Sequence, residues 1–390
     1  MSDPVVIVGG GAVGSAVAYF LAADPAFDGR IVVLERDPTY ARASSALSAS
    51  SIRQQFSTPI NIALSRFGIA FLRAAGAHLA VDGDAPALGL TERGYLFLAA
   101  PAGLPALEAS HRVQRAAGAD VALLTPRALR ERFAWLAVDG LAAGSLGLSG
   151  EGWFDGYALL QALKRKARAL GAEYRAAEVV ALERAGDRIT AVHLADGVRL
   201  ACGVVVNAAG PWAARVAALA GIDLPVRARR RCVFVFACRE ALPGCPLVID
   251  PSGVWFRPEG AQFIGGVAPP PDQDPDDAPL EPDEALFDAV VWPALAARVP
   301  AFEAIKLQRA WAGYYEYNTL DQNGIVGRHP ALANFLLANG FSGHGIQQAP
   351  AVGRALAELI VHARYVSLDL TPLGIERVLA GAPLREHAIV

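Results

Sequence analysis

The chain has 390 residues, 53% of them apolar, with 38 glycines and 26 prolines, which suits two or three compact, turn-rich domains. Its 35 Lys and Arg stand against 38 Asp and Glu, a near balance that leaves no basic footprint, and nucleic-acid partners are set aside. The four cysteines, Cys202, Cys232, Cys238 and Cys245, have neither CxxC spacing nor a histidine nearby in sequence. No metal site is therefore expected, and the thiols read as reduced ones in a cytoplasm-like compartment.

The first segment, Val5 to Ala23, is uncharged and hydropathic enough to suggest a membrane span or signal peptide. Its clustered glycines, the Asp3 ahead of it and the missing basic flank argue against both. The expectation is a chain without a transmembrane segment, cytoplasmic, or of the mitochondrial matrix if a presequence has been removed.

What Val5–Ala23 does carry is a phosphate-binding pattern. Pro4-Val5-Val6-Ile7-Val8 reads as a buried parallel strand, and it meets Gly9-Gly10-Gly11-Ala12-Val13-Gly14. Gly9 allows the tight turn, Gly11 the approach of a pyrophosphate, and Gly14 close packing of helix on strand. Val13, Val17, Phe20 and Leu21 then recur at helical spacing, and the N-terminus of that helix offers free N–H groups to phosphates. A second strand, Ile31-Val32-Val33-Leu34, ends in Glu35, placed to accept from an adenosine ribose.

The small, hydroxyl-rich run Ala41–Phe56 reads either as a solvated serine loop or as a strip lying along a second phosphate and a ribityl chain. A helix is expected over about Tyr157–Leu170, with Leu160, Leu163, Ala167 and Leu170 on its apolar side and Lys164, Arg165, Lys166 and Arg168 on a solvated face. Gly203–Val206 reads as another strand, running into Asn207-Ala208-Ala209-Gly210-Pro211-Trp212. Runs 231–236, 254–257 and 262–265 are β-like. Pro269–Glu284, dense in Pro and Asp, reads as a surface loop, with an acidic docking site as the alternative. Phe335–Ala338 is a strand leading into Asn339–Gln348 and a helix from about Gln347 to Val361, with Pro350 in its first turn. A glycine-rich helix start here would stabilise negative charge on a reduced flavin, which favours FAD over NAD.

Taken together, the N-terminal loop, the serine segment ending in Ile52-Arg53, Asn207–Trp212 and Gly340-Phe341-Ser342-Gly343-His344-Gly345 resemble the D-amino-acid oxidase superfamily of flavoproteins, with its glycine oxidases and sarcosine oxidases. Glu151-Gly152-Trp153-Phe154-Asp155 and Trp311–Asn318 resemble a narrower mitochondrial branch of FAD-dependent oxidoreductase domain proteins linked to respiratory complex I assembly. The resemblance implies an α/β fold (α+β overall): a Rossmann-like FAD-binding domain with a second substrate domain on a mostly antiparallel sheet. The FAD domain would be discontinuous, residues 1–90, 150–225 and 325–390, and the substrate domain 91–149 and 226–324.

It also implies FAD contacts at Gly9, Gly11, Ala12, Val13, Gly14, Glu35, Arg36, Ser44, Ser45, Ser51, Ile52, Arg53, Val179, Ala208, Ala209, Gly210, Trp212, Gly313, Gly343, His344, Gly345, Ile346 and Gln347. Arg53 falls where monomeric sarcosine oxidase binds a carboxylate; the competing reading has it orient the loop over the flavin. Arg257, on a strand of the expected substrate sheet, is the second carboxylate candidate, with a surface ion pair as its alternative. His344 is expected to touch flavin or substrate, and Tyr315, with Trp311, Tyr314 and Tyr317, to wall the pocket or merely pack.

Departures from the pattern qualify the substrate. Tyr314-Tyr315-Glu316 stands where glycine oxidase has an arginine, Phe263 where sarcosine oxidases have an oxygen-activating lysine, and Gln347 where they have a second carboxylate ligand. No cysteine lies near Gly313 in sequence and no histidine within Ser44–Arg53, the points of covalent attachment in relatives. The reading is non-covalent FAD and an amine or amino-acid oxidoreductase with slow oxygen reactivity, passing electrons to an acceptor protein or quinone. The alternatives are a 2-hydroxy acid dehydrogenase and a flavin-stabilised assembly or binding factor.

Overall fold

The computed structural model describes residues 3–386. Val5–Val8 lies inside a six-stranded sheet whose order is Ile325–Arg328, Phe335–Asn339, Val204–Asn207, Val5–Val8, Ile31–Glu35, Glu173–Ala176. All pairings are parallel except that of the 325–328 edge strand. All four residues of Val5–Val8 are buried, because both faces of the sheet are covered. Ile7 and Val33 pack under the Ala12–Ala23, Gly156–Ala169 and Gly345–Val361 helices, while Val6 and Val32 face a second apolar layer with Val192 and Val216. Val5–Ala23 is thus a strand, a turn and a twelve-residue helix. Among the described residues no helix is long and apolar enough to cross a membrane.

The second sheet has eight strands in the order Lys306–Asn318, Val226–Ala237, Gln262–Gly266, Trp255–Glu259, Leu247–Ile249, Tyr95–Ala99, Ala143–Gly147, Val121–Leu124. It is antiparallel apart from the Leu247–Tyr95 pairing. The β-like runs of the second half are here, longer than the sequence suggested: the 226–237 strand pairs with 306–318 over nearly its whole length.

Three local expectations need correction. The Gly156–Ala169 helix is capped by Asp155, which accepts from Ala158 N at 2.8 Å, and Leu170 lies beyond it, 41% exposed. Leu160, Leu163 and Ala167 are buried as the apolar stripe requires. On the face read as solvated, Lys166 Nζ donates to Ala80 O at 2.8 Å and Lys164 sits 4.7 Å from the Tyr40 ring centre. The last long helix begins at Gly345, so Pro350 falls in its second turn. In the Pro269–Glu284 surface loop Asp274 is buried and forms a two-pronged pair with Arg231 (2.8 and 2.9 Å), and the exposed Asp276 pairs with Arg229. These two acids neutralise arginines on the Val226–Ala237 strand, while Asp272, Asp277, Glu281, Asp283 and Glu284 are exposed on the loop surface.

Candidate functional site

A cavity of about 690 Å³ lies between the two sheets. Its first end is made by the glycine loop. Gly9 has φ +101, and a Cβ there would collide with the Ala208 carbonyl; a Cβ on Gly14 would collide with that of Gly9. Only glycine lets the Ala12–Ala23 helix start this close to the neighbouring strands. Glu35 reaches back, accepting from Gly10 N and Asp37 N, both at 2.9 Å, and so braces the loop as well as lining the cavity. Arg36 stacks on Trp212, its guanidinium 3.8 Å from the ring centre.

The middle is the serine segment. Ser44 Oγ donates to Tyr314 O at 2.6 Å, and Ser45 Oγ stands 3.4 Å from Ala12 N. Trp311 Nε1 donates to Leu47 O at 2.9 Å, which ties this strip to the second sheet. At the far end the Gly345–Val361 helix opens on the cavity. Neither it nor the Ala12–Ala23 helix is capped by its own N-cap side chain or has an acid in its first turn, so beyond the long Ser45 contact to Ala12 N two helix N-termini present N–H groups to the same space. An elongated cavity with an uncapped helix start at each end fits a ligand with a pyrophosphate at one end and an electron-rich ring at the other, which is the chemistry of FAD.

Buried charge gathers around the ring end. Arg53 is 3% exposed. Its guanidinium lies 4.0 Å over the Phe56 ring centre, donates to the Gln55 carbonyl and stands 3.0 Å from His344 Nε2. Guanidinium has no acceptor, so Nε2 accepts and the His344 proton is on Nδ1. Burial, then the Arg53 charge, pushes the imidazole pKa down to about 3, and His344 is neutral over the ordinary pH range. Gln347 Oε1 accepts from Arg53 N at 2.9 Å, so the residue that replaces a ligand lysine instead fixes the arginine's backbone. Tyr315 packs against Gly343, and its hydroxyl is raised by burial and pulled back by Arg231 and Arg53. Glu151, fully buried, accepts from Gln54 N at 2.6 Å, Gln55 N at 3.0 Å, Gln55 Nε2 at 2.8 Å and Tyr95 N at 3.3 Å. Burial pushes this carboxyl up to about 7 against those hydrogen bonds and the Arg53 charge.

The cavity wall gathers Gly9, Gly11, Ala12, Val13, Glu35, Arg36, Ser44, Ser45, Ser51, Arg53, Val179, Ala208, Ala209, Gly210, Trp212, Gly313, Tyr314, Tyr315, Gly343, His344, Gly345, Ile346 and Gln347. Gly14 and Ile52 stand behind it as packing residues. Arg257 also stands outside. It is 4% exposed, donates to Ala49 O at 2.7 Å, pairs with Glu259 and lies 5.1 Å from the Trp153 ring centre, so it holds the serine segment from behind. Trp311 and Tyr317 are not wall residues, and Phe263 stacks on Phe236 in the core. Strand pairing brings Cys232 opposite Ala312, beside Gly313, where sequence proximity showed no thiol; its Sγ accepts from Asp283 N at 3.5 Å.

Tyr95, Arg231 and Glu316 are wall residues that the sequence reading did not select, and Glu151 is a buried brace it quoted without a role. Glu316 and Glu151 sat inside motifs, and two charged residues in otherwise apolar or aromatic runs were the available signal. Tyr95 and Arg231 carried none.

A family model described as "FAD dependent oxidoreductase" matches residues 4–359. The chain is 43% identical to FAD-dependent oxidoreductase domain-containing protein 1 of Bos taurus, over 99% of this chain and 87% of the relative. It is 27% identical to glycine oxidase of Geobacillus kaustophilus (strain HTA426), over 96% of each. In structure it is similar to L-proline dehydrogenase from P. horikoshii, with a TM-score of 0.85, 26% identity, and coverage of 97% of this chain and 98% of that one.

Proposed function

The chain belongs to the FAD-dependent oxidoreductase family, and from that premise we propose that it oxidises the CH–NH bond of an amino acid carrying a secondary or N-methyl amine. The observation that carries this reading is Arg53, a buried guanidinium in the cavity wall at the ring end, beside a neutral imidazole. A buried cation there favours a substrate with a carboxylate, and a planar fork suits that group better than a point charge. The relatives named above act on glycine and on L-proline, a primary and a secondary amino acid.

Bound FAD would supply the hydride acceptor at N5. The chain supplies position and exclusion. Arg53 holds the carboxylate, Tyr315 and Tyr95 close the pocket, and His344, unprotonated, adds no second positive charge that would disfavour a cationic amine. Gly9, Gly11 and the first turn of Ala12–Ala23 would take the pyrophosphate, Glu35 the ribose, and Gly345–Gln347 the ring edge. No lysine lines the cavity among the described residues, which supports slow reaction with oxygen and transfer of electrons to a protein or quinone. Non-covalent FAD is part of this reading: no histidine lies within Ser44–Arg53, and Cys232, although a wall residue, has its Sγ accepting from Asp283 N.

The test is anaerobic mixing of the holoprotein with matched pairs: an N-methyl amino acid, the same amine without its carboxylate, and the corresponding 2-hydroxy acid. Flavin bleaching by the first alone is expected. Bleaching by the hydroxy acid alone, or by none of a broad amino-acid panel, would overturn the reading.

A further inference from the structure

Glu316 sits where a carboxylate is least expected. It lines the cavity in company with Gly343–Gln347, yet is only 9% exposed. Among the described residues a single hydrogen bond reaches its carboxyl, Gly340 N to Oε2 at 3.1 Å, and it joins no ion pair. The other oxygen points at the start of the Gly345–Val361 helix, where a Cβ on Gly345 would lie 3.1 Å from Oε1. An ionised carboxylate so placed would lack the partners that burial demands.

The helix N-terminus offers a partial positive charge, but among the described residues no ionised side chain pairs with the carboxyl. Across the strand pair Glu316 faces Ala228; Arg227 and Arg229 flank that residue, project from the opposite face and are paired with Asp276 and Asp274. On its own strand Tyr315 shares the cavity wall and packs on Gly343 with its hydroxyl raised by burial and so neutral, while Tyr317 is not a wall residue. The loop before the helix brings His344, which is neutral, and the helix brings Gly345 and Gln347, which do not titrate.

We propose that Glu316 is a cofactor-facing acid that occupies the FAD site in its protonated form and takes up a proton with the flavin's electrons whenever it has been ionised beforehand. Burial, opposed only by the Gly340 N–H, pushes the carboxyl up to about 8, so it is neutral at and below neutral pH. Reduction places negative charge on the flavin ring at the same helix N-terminus, and a like charge beside it raises the carboxyl further. Below the titration range, an electron pair enters with the flavin's own protons alone. Between that range and the higher one the carboxyl has beside reduced flavin, two electrons enter with those protons and up to one more, taken from solvent onto a Glu316 oxygen; no other bond changes.

The inference rests on the family cofactor and not on the amine reading, so its test uses no substrate. The flavin midpoint potential of the holoprotein is measured with mediator dyes against pH, and protons per electron pair are read from the slope. Wild type and Glu316→Gln, whose amide oxygen still accepts from Gly340, should agree a unit below the carboxyl's value of about 8, and wild type should take up more protons than the variant, by up to one, a unit above it. Equal proton counts at both pH values would overturn the proposal. If Glu316→Gln fails to retain FAD, the wild-type slope decides: a count that rises with pH supports it, and a constant or falling count overturns it.

Discussion

At the glycine-loop end of the cavity the groups that face a ligand are mostly backbone. Gly9, Gly11 and the first turn of Ala12–Ala23 are contiguous in sequence, and a helix macrodipole replaces a charged side chain. At the ring end the groups are side chains gathered from afar: Arg53 meets His344 across 291 residues, and Glu151 holds the backbone of Gln54 across 97. The first end is suited to a phosphate by geometry that the βαβ pattern itself forms. The second concentrates buried charges whose energies depend on one another, because each has lost its water.

The largest effect should therefore come from the brace at the ring end. Glu151→Ala orphans the N–H groups of Gln54, Gln55 and Tyr95 and removes a countercharge from Arg53. A destabilisation of about 3–5 kcal/mol is expected in denaturant unfolding of the holoprotein. A loss below ~1 kcal/mol would break the contrast, since the charges would then not be coupled. Next comes Gly14→Ala, which drives a methyl into the Gly9 carbonyl. It should cost about 1–3 kcal/mol and empty the FAD site in proportion, read from the flavin-to-protein absorbance ratio. The smallest effect is expected where a side chain assists the backbone end. Arg36→Ala removes a half-exposed cation over Trp212 and should weaken FAD binding by only about 0.5–1 kcal/mol, a few-fold in Kd by titration of the apoprotein. A hundred-fold loss would show that side chains, not N–H groups, dominate there too.

The same contrast decides how much of the site was readable. Strand, glycine loop, helix, strand and Glu35 lie within the first 35 residues, and each glycine's task is local, so periodicity and spacing were sufficient. Arg53 and His344 were found by their motifs, but their mutual contact was not, nor the neutral state it imposes on the imidazole. Arg257 shows the limit from the other side. Alternation on a strand says that a residue faces one side of a sheet, not which side holds the cavity, and this arginine serves the back of the serine segment. Asp274 and Asp276 read as loop acids until the register of Val226–Ala237 set Arg229 and Arg231 beneath them.

By itself the sequence determined the parallel core strands, the glycine loop and most of the segments that line the cavity. These follow from local sterics and hydrophobic periodicity, which act between near neighbours. Only the tertiary structure decided which carboxyls are deprived of water, which arginine faces the cavity, and how His344 holds its proton. Desolvation and charge coupling are properties of the space between segments, and no spacing along the chain encodes them.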